Sequence, residues 1–74
     1  MAKKFFPGIK GKIAVEDLLY VRKKVGDGDF EKVESDYLRP GVIVELLELD
    51  DNRFYRIDYK GRDGYIYKDY VELL

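Results

Sequence analysis

The sequence predicts a small all-β domain, and three observations predict it. Val42, Val44 and Leu46 recur with a period of two, and apolar and charged residues alternate with the same period over residues 55–59. Clusters of turn residues punctuate those runs, at Pro40-Gly41, Asp50-Asp51-Asn52 and residues 60–64. Finally, 74 residues with 46% hydrophobic and 39% charged side chains suffice for one modest core and no second domain.

Taken in order, the N-terminal third allows two readings. Ile13, Val15, Leu18, Tyr20 and Arg22 describe an extended segment with a break at Glu16-Asp17. Ala14, Leu18, Val21 and Val25 also fall at helical spacing, with Gly26 as a terminator. Frequent β-branched and aromatic residues, and the need of a meander for further strands at its edges, favour the extended reading. Residues 25–52 carry a charge of −7, against +5 before and +1 after, within a net charge of −1. From Asp27 to Asp36, acidic residues interleave with Phe30, Val33 and Tyr37, and Gly26 and Gly28 open the stretch. It reads as a long acidic loop with an apolar underside.

Beyond Pro40-Gly41, Val42, Val44 and Leu46 share one face of a strand running to Leu49. A hairpin through Asp50-Asp51-Asn52 leads into residues 54–59, where Tyr55, Ile57 and Tyr59 alternate with Arg56 and Asp58. A second hairpin through residues 60–64 leads into Tyr65-Ile66-Tyr67. The expected core is Val44, Leu46, Ile57, Ile66 and Val71 on one inner face, with Tyr55 inward and Phe54, Tyr65 and Tyr67 on the other side.

Composition excludes much chemistry. With no cysteine and no histidine there is no disulfide, no thiol catalysis and none of the commonest metal ligands. Ser35 is the one aliphatic hydroxyl and has no histidine to activate it. Asp27-Gly28-Asp29 matches the opening of a calcium loop, but Lys32 stands at its sixth position and Leu38 at its twelfth. We therefore expect no enzyme, no cofactor and no metal. Seven tyrosines and four phenylalanines exceed what so small a core can hold, so some aromatic rings should lie at the surface, where tyrosine suits a binding face.

The block Leu38-Arg39-Pro40-Gly41-Val42-Ile43-Val44-Glu45-Leu46-Leu47-Glu48 resembles a strand of bacterial Src-homology-3 (SH3) domains. Residues 53–66 resemble the following hairpin, residues 67–73 the family's ending, and Leu19-Tyr20-Val21-Arg22 its first strand. The resemblance covers residues 11–74, with residues 1–10 as a lead-in. It implies a five-stranded, partly open SH3-like barrel with a long acidic first loop over about residues 23–37 and a 3₁₀ turn near residues 67–70. The family's ligand groove lies between that loop and the 3₁₀ turn, and the matching positions here are Tyr20, Tyr37, Phe54, Tyr67 and Tyr70. Phe54 stands where the family has tryptophan, Tyr67 where eukaryotic members have proline, and Arg22-Lys23-Lys24-Val25 where the pattern is Arg-Ser-Gly-Pro. These departures argue against ordinary polyproline recognition.

The expectation is therefore a non-enzymatic module that binds a protein or peptide segment. Aromatic contacts would come from those five rings, flanked by Asp27, Asp29, Glu31, Glu34 and Asp36, so the partner would be cationic or amphipathic. Alternatives are binding of cell-wall peptidoglycan, as in exported relatives of the family, and inhibition of a larger enzyme or assembly. Nucleic acid is less favoured: Lys10, Lys12, Arg22, Lys23 and Lys24 form a basic cluster, but the acidic segment would repel phosphate. No apolar run approaches the roughly 20 residues of a membrane helix, and no export signal is legible. The expected compartment is the cytoplasm, or the cell wall if the domain was excised from a longer exported protein.

Overall fold

The computed structural model describes residues 3–74; Met1 and Ala2, which open the lead-in, lie outside the described residues. The strands are β1 (Lys3–Lys4), β2 (Lys10–Ile13), β3 (Leu19–Gly26), β4 (Asp29–Leu38) and β5 (Ile43–Glu45). They continue with β6 (Glu48–Asp50), β7 (Phe54–Tyr59), β8 (Arg62–Tyr67) and, after a 3₁₀ turn at Lys68–Tyr70, β9 (Val71–Leu73). All pairings are antiparallel. A six-stranded sheet has the order β1-β6-β7-β8-β3-β4 and a three-stranded sheet the order β5-β2-β9. The all-β expectation and the 3₁₀ turn hold, and the helical reading of residues 14–25 does not: the described residues contain no α-helix.

Two expectations need correction. The five-stranded barrel is instead two antiparallel sheets of nine short strands with no closed barrel. The main reason is that the run 42–49 is two strands. Consecutive leucines at 46 and 47 break its period of two, and the chain changes sheets there. Leu46 is buried in the core and its N–H donates to the Ile9 carbonyl, whereas the Leu47 N–H donates to the Arg56 carbonyl. Thus β5 pairs with β2 and β6 pairs with β7.

The second correction concerns the long acidic loop. Residues 29–38 are a strand, the outer arm of a hairpin with β3, turned at Gly28 with φ +70°. Acidic side chains point to solvent along the free edge of the six-stranded sheet, where charge discourages pairing with another chain. Register shifts interrupt the β3–β4 ladder between Tyr20 and Arg22 and between Lys24 and Gly26. Asp36 is the exception among the acids: it is buried and ion-paired with Arg62 at the start of β8.

The core lies between the sheets. Ile13, Leu19, Val21, Leu46, Tyr55, Ile57, Tyr59 and Ile66 form it. Of the five expected core residues, Leu46, Ile57 and Ile66 are fully buried, while Val44 and Val71 are half-buried and pack against its margin. Gly64 is buried, and the site requires glycine because a Cβ there would run into the side chains of Val21 and Tyr59. The lead-in joins the fold, since β1 pairs with β6 and the Phe5 ring lies 5.8 Å from that of Tyr55. No helix among the described residues is long and apolar enough to cross a membrane.

Ile57→Ala should cost about 2–4 kcal/mol in urea unfolding, through lost transfer energy and the cavity left behind. Val44→Ala, at the margin, should cost about 1 kcal/mol. Equal losses at the two sites would contradict this core. The β7–β8 turn offers an opposite test: Lys60 (φ 53°) and Gly61 (φ 80°) are the two central residues of a type I′ turn, and lysine is poorly suited to the first of them. Lys60→Asn should therefore raise stability by roughly 0.5–1 kcal/mol, read as a higher urea midpoint.

Candidate binding site

Strand alternation gives β7 and β8 two apolar faces. Tyr55, Ile57, Tyr59 and Ile66 point into the core, whereas Phe54, Tyr65 and Tyr67 lie on the opposite side. On that outer side the rings form a continuous row. Tyr70 meets Tyr67 edge-on at 5.9 Å, Tyr67 meets Phe54 at 5.2 Å, and Phe54 is stacked on Phe30 at 4.1 Å. Phe30 also lies 5.2 Å from Tyr65. It comes from the β3–β4 hairpin, whose far half folds across the sheet.

Polar contacts hold that half in place. Lys24 Nζ donates to Asp50 Oδ2 at 2.7 Å, and Arg53 donates to the Gly28 carbonyl at 2.8 Å and to the Asp51 carboxylate. The Arg53 guanidinium lies 5.2 Å from the Phe54 ring centre and 5.6 Å from that of Phe30. The hydrogen bond to Asp50 pulls the Lys24 pKa up, with burial opposing it and the charges of Asp50 and Asp27 adding to it. Burial pushes up the Tyr65 phenol, aided by the Asp63 charge, and burial alone pushes up that of Tyr55.

Where the hairpin stops, the aromatic row is open. Phe54 and Tyr65 are 5% and 7% exposed, whereas Tyr67 and Tyr70 are 37% and 48% exposed. Beside them is a pocket of about 320 Å³ between the β2–β3 connection and the 3₁₀ turn. Tyr20, Tyr67 and Tyr70 supply its rings, Val15, Leu18 and Leu19 its aliphatic wall, and Glu16, Asp17 and Arg22 its charges. The connection and the turn are tied directly, since the Ala14 N–H donates to the Tyr70 carbonyl at 2.9 Å. Tyr20 and Arg22 reach the pocket because their neighbours Leu19 and Val21 occupy the core face of β3.

The structure thus brings together three of the ten expected site residues: Tyr20, Tyr67 and Tyr70. Phe54 is next in the aromatic row but lies beneath Phe30. Tyr37 pairs with Tyr20 across the β3–β4 ladder and sits under the Arg39 guanidinium, outside the pocket. None of the five expected acids lines it. Asp27 is in the hairpin turn, Asp29 opens β4, Glu31 faces Lys23 across the ladder, Glu34 lies within the register shift, and Asp36 is spent on Arg62. The pocket's carboxylates are Glu16 and Asp17 instead. The sequence signalled them as a break in the alternation, read there as punctuation between strands.

The groups this arrangement presents to the pocket are aromatic rings, aliphatic carbons, two carboxylates and one guanidinium. Among the described residues no group of acidic side chains is placed to hold a metal ion. No protein-family model, curated protein or solved structure matches the chain.

The pKa directions fix the sign of an alkaline effect. Lys24, Tyr55 and Tyr65 hold their protons more tightly when folded, so their contributions are intact below the unfolded pKa values and are lost as pH rises through the folded ones. Stability measured by urea unfolding should be level between about pH 7 and 9 and should fall above about pH 10. Tyr65→Phe should make that fall shallower, and an unchanged slope would rule out burial of the Tyr65 phenol.

Proposed function

We propose that the protein is a non-enzymatic, SH3-like binding module that takes a segment of another protein in the pocket between the β2–β3 connection and the 3₁₀ turn. One observation carries this reading. Tyr20, Tyr67 and Tyr70, from separated stretches of the chain, converge with Glu16 and Asp17 on one pocket of about 320 Å³. That volume lies at the small end of ligand sites and suits one or two side chains of a peptide rather than a large cofactor. Tyrosine supplies rigid apolar contact at small entropic cost, with a hydroxyl for the partner's backbone.

The partner would be cationic or amphipathic. Glu16 and Asp17 are exposed at the pocket, and the outward acids of β4 extend the negative field beyond it. Such rim charges steer association more than they add to final affinity. In support of the SH3-like assignment, a meander of β6, β7 and β8, a 3₁₀ turn and a final strand follow in the order the family resemblance implies.

Selection from a random peptide library displayed on phage, followed by titration of the recovered peptide, tests the proposal. Tyr70→Ala should weaken binding by about 10-fold, in keeping with roughly 1–3 kcal/mol at a groove centre, while Tyr37→Ala should leave it within about twofold. Raising the salt to 1 M should lower the association rate. Purified peptidoglycan and single-stranded DNA serve as competing ligands. Binding of either one that ignores Tyr70→Ala, with no peptide recovered, would overturn the reading.

A further inference from the structure

The ring row raises a question about its last member. Phe54 and Tyr65 lie on the same face as the open rings of Tyr67 and Tyr70, yet they are covered, and the cover is a segment of the chain itself. Phe30 fills the slot between them, flanked in sequence by Asp29 and Glu31. Lys24 and Arg53, paired with Asp50 and Asp51, edge the slot and place their charges 5.9 and 5.6 Å from the Phe30 ring centre.

The attachment of this cover differs from that of the core strands. β3 pairs with β8 only at Arg22↔Tyr65, and beyond Arg22 the hairpin is joined to the sheet through side chains. Those side chains are Phe30, Lys24 on Asp50, and Arg53 on Gly28, and Arg53 is exposed. Around them Val25, Gly26, Asp27, Gly28, Asp29, Glu31 and Lys32 are all exposed, so opening uncovers little beyond the slot. The register shift between Tyr20 and Arg22, opposite residues 33–36 of β4, places a bend where such a flap would hinge. Few apolar contacts and exposed polar ones characterise segments that open without global unfolding.

We propose that the far half of the β3–β4 hairpin is a displaceable strap, and that Phe30 occupies from within the chain a second binding slot formed by Phe54 and Tyr65. The slot's ligand is read from its present occupant: an aromatic side chain carried on an extended segment. The slot continues the pocket through Tyr67, so a partner long enough to reach both would place its basic part near Glu16 and Asp17 and an aromatic side chain in the slot. Its use therefore rests on the peptide-binding reading, but its existence does not, and the test needs no natural partner.

The chain has no cysteine, so a single introduced thiol reports local opening. Tyr65→Cys places one in the slot and Ile66→Cys places one at the adjacent position in the core. Each full-length variant is labelled with a small thiol reagent under native conditions, and the rate is compared with that allowed by its own global unfolding. The Tyr65→Cys thiol should label at least 10-fold faster than global unfolding allows, and several-fold faster still in 1 M salt, which screens the Lys24 and Arg53 contacts. The Ile66→Cys thiol should follow global unfolding. If both thiols follow it, the strap is a fixed part of the core and the proposal fails.

Phe30→Trp gives a second readout should Tyr65→Cys not fold, because the chain has no other tryptophan. Acrylamide should quench its fluorescence, and quench it more strongly in 1 M salt; a shielded, salt-insensitive indole would overturn the strap. The ligand class is tested with N-acetyl-Asp-Phe-Glu-amide on Phe30→Ala. This tripeptide should shift the backbone amide resonances of Phe54 and Tyr65, and its Asp-Ser-Glu analogue should not. Equal effects, or none, would overturn the ligand assignment. A working strap with no library peptide would defeat only the peptide-binding reading, and a library peptide with a closed strap only this one.

Discussion

A hairpin with two apolar faces dictates the rest of this molecule. In β7 and β8, Tyr55, Ile57, Tyr59 and Ile66 face one way and Phe54, Tyr65 and Tyr67 the other, so neither side can be left in water without forfeiting hydrophobic stabilisation. Among the described residues there is no α-helix to lay over either face. The inner face is covered by switching strands to a second sheet at Leu46-Leu47, which brings β5, β2 and β9 across it. The outer face is covered, in part, by the far end of the β3–β4 hairpin.

The charge distribution follows from the same need. A strand that must sit at the edge of a sheet and carry one ring over its neighbour gains little from apolar residues elsewhere. Residues 29–38 accordingly spend one aromatic, Phe30, on the outer face and keep Asp29, Glu31 and Glu34 in water. Lys24 and Arg53 then meet the carboxylates of Asp50 and Asp51 beside that ring. The exposed Arg53–Asp51 pair contributes little to stability, and the effect of Arg53 here is to fix where the hairpin lies. The pairs Lys24–Asp50 and Arg62–Asp36 differ in kind, because in each the carboxylate is buried and removing its basic partner would strand it out of water.

Much of this was legible. The hairpin through Lys60-Gly61, the inward set Tyr55, Ile57 and Ile66, and the outward set Phe54, Tyr65 and Tyr67 follow from alternation and turn chemistry alone, because both are local properties. The acidic strand was not legible, since dense charge with flanking glycines marks an exposed edge strand as well as it marks a loop. Nor was the division of the aromatic row. Alternation puts Phe54 and Tyr67 on one face, but only the reach of a hairpin more than 20 residues away in sequence decides that one is covered and the other open. Glu16 and Asp17 escaped for the same reason: their value to the pocket comes from lying near Tyr67 and Tyr70, a distant partnership that spacing does not encode.

The boundary between covered and open rings is therefore set by geometry rather than by ring chemistry. Tyr65 and Tyr67 are two residues apart on one strand and point the same way, yet one is 7% and the other 37% exposed. Successive same-face residues on a strand stand about 6.6–6.8 Å apart, close to the width of one aromatic ring with its contact shell. Phe30 thus shields Tyr65 and, on the neighbouring strand, Phe54, while Tyr67, across the ladder from Phe54, lies beyond its reach. Arg22, whose pairing with Tyr65 joins β3 to β8, also borders the pocket. The register shift, the junction of the hairpin with the sheet and the edge of the pocket therefore meet at this one residue.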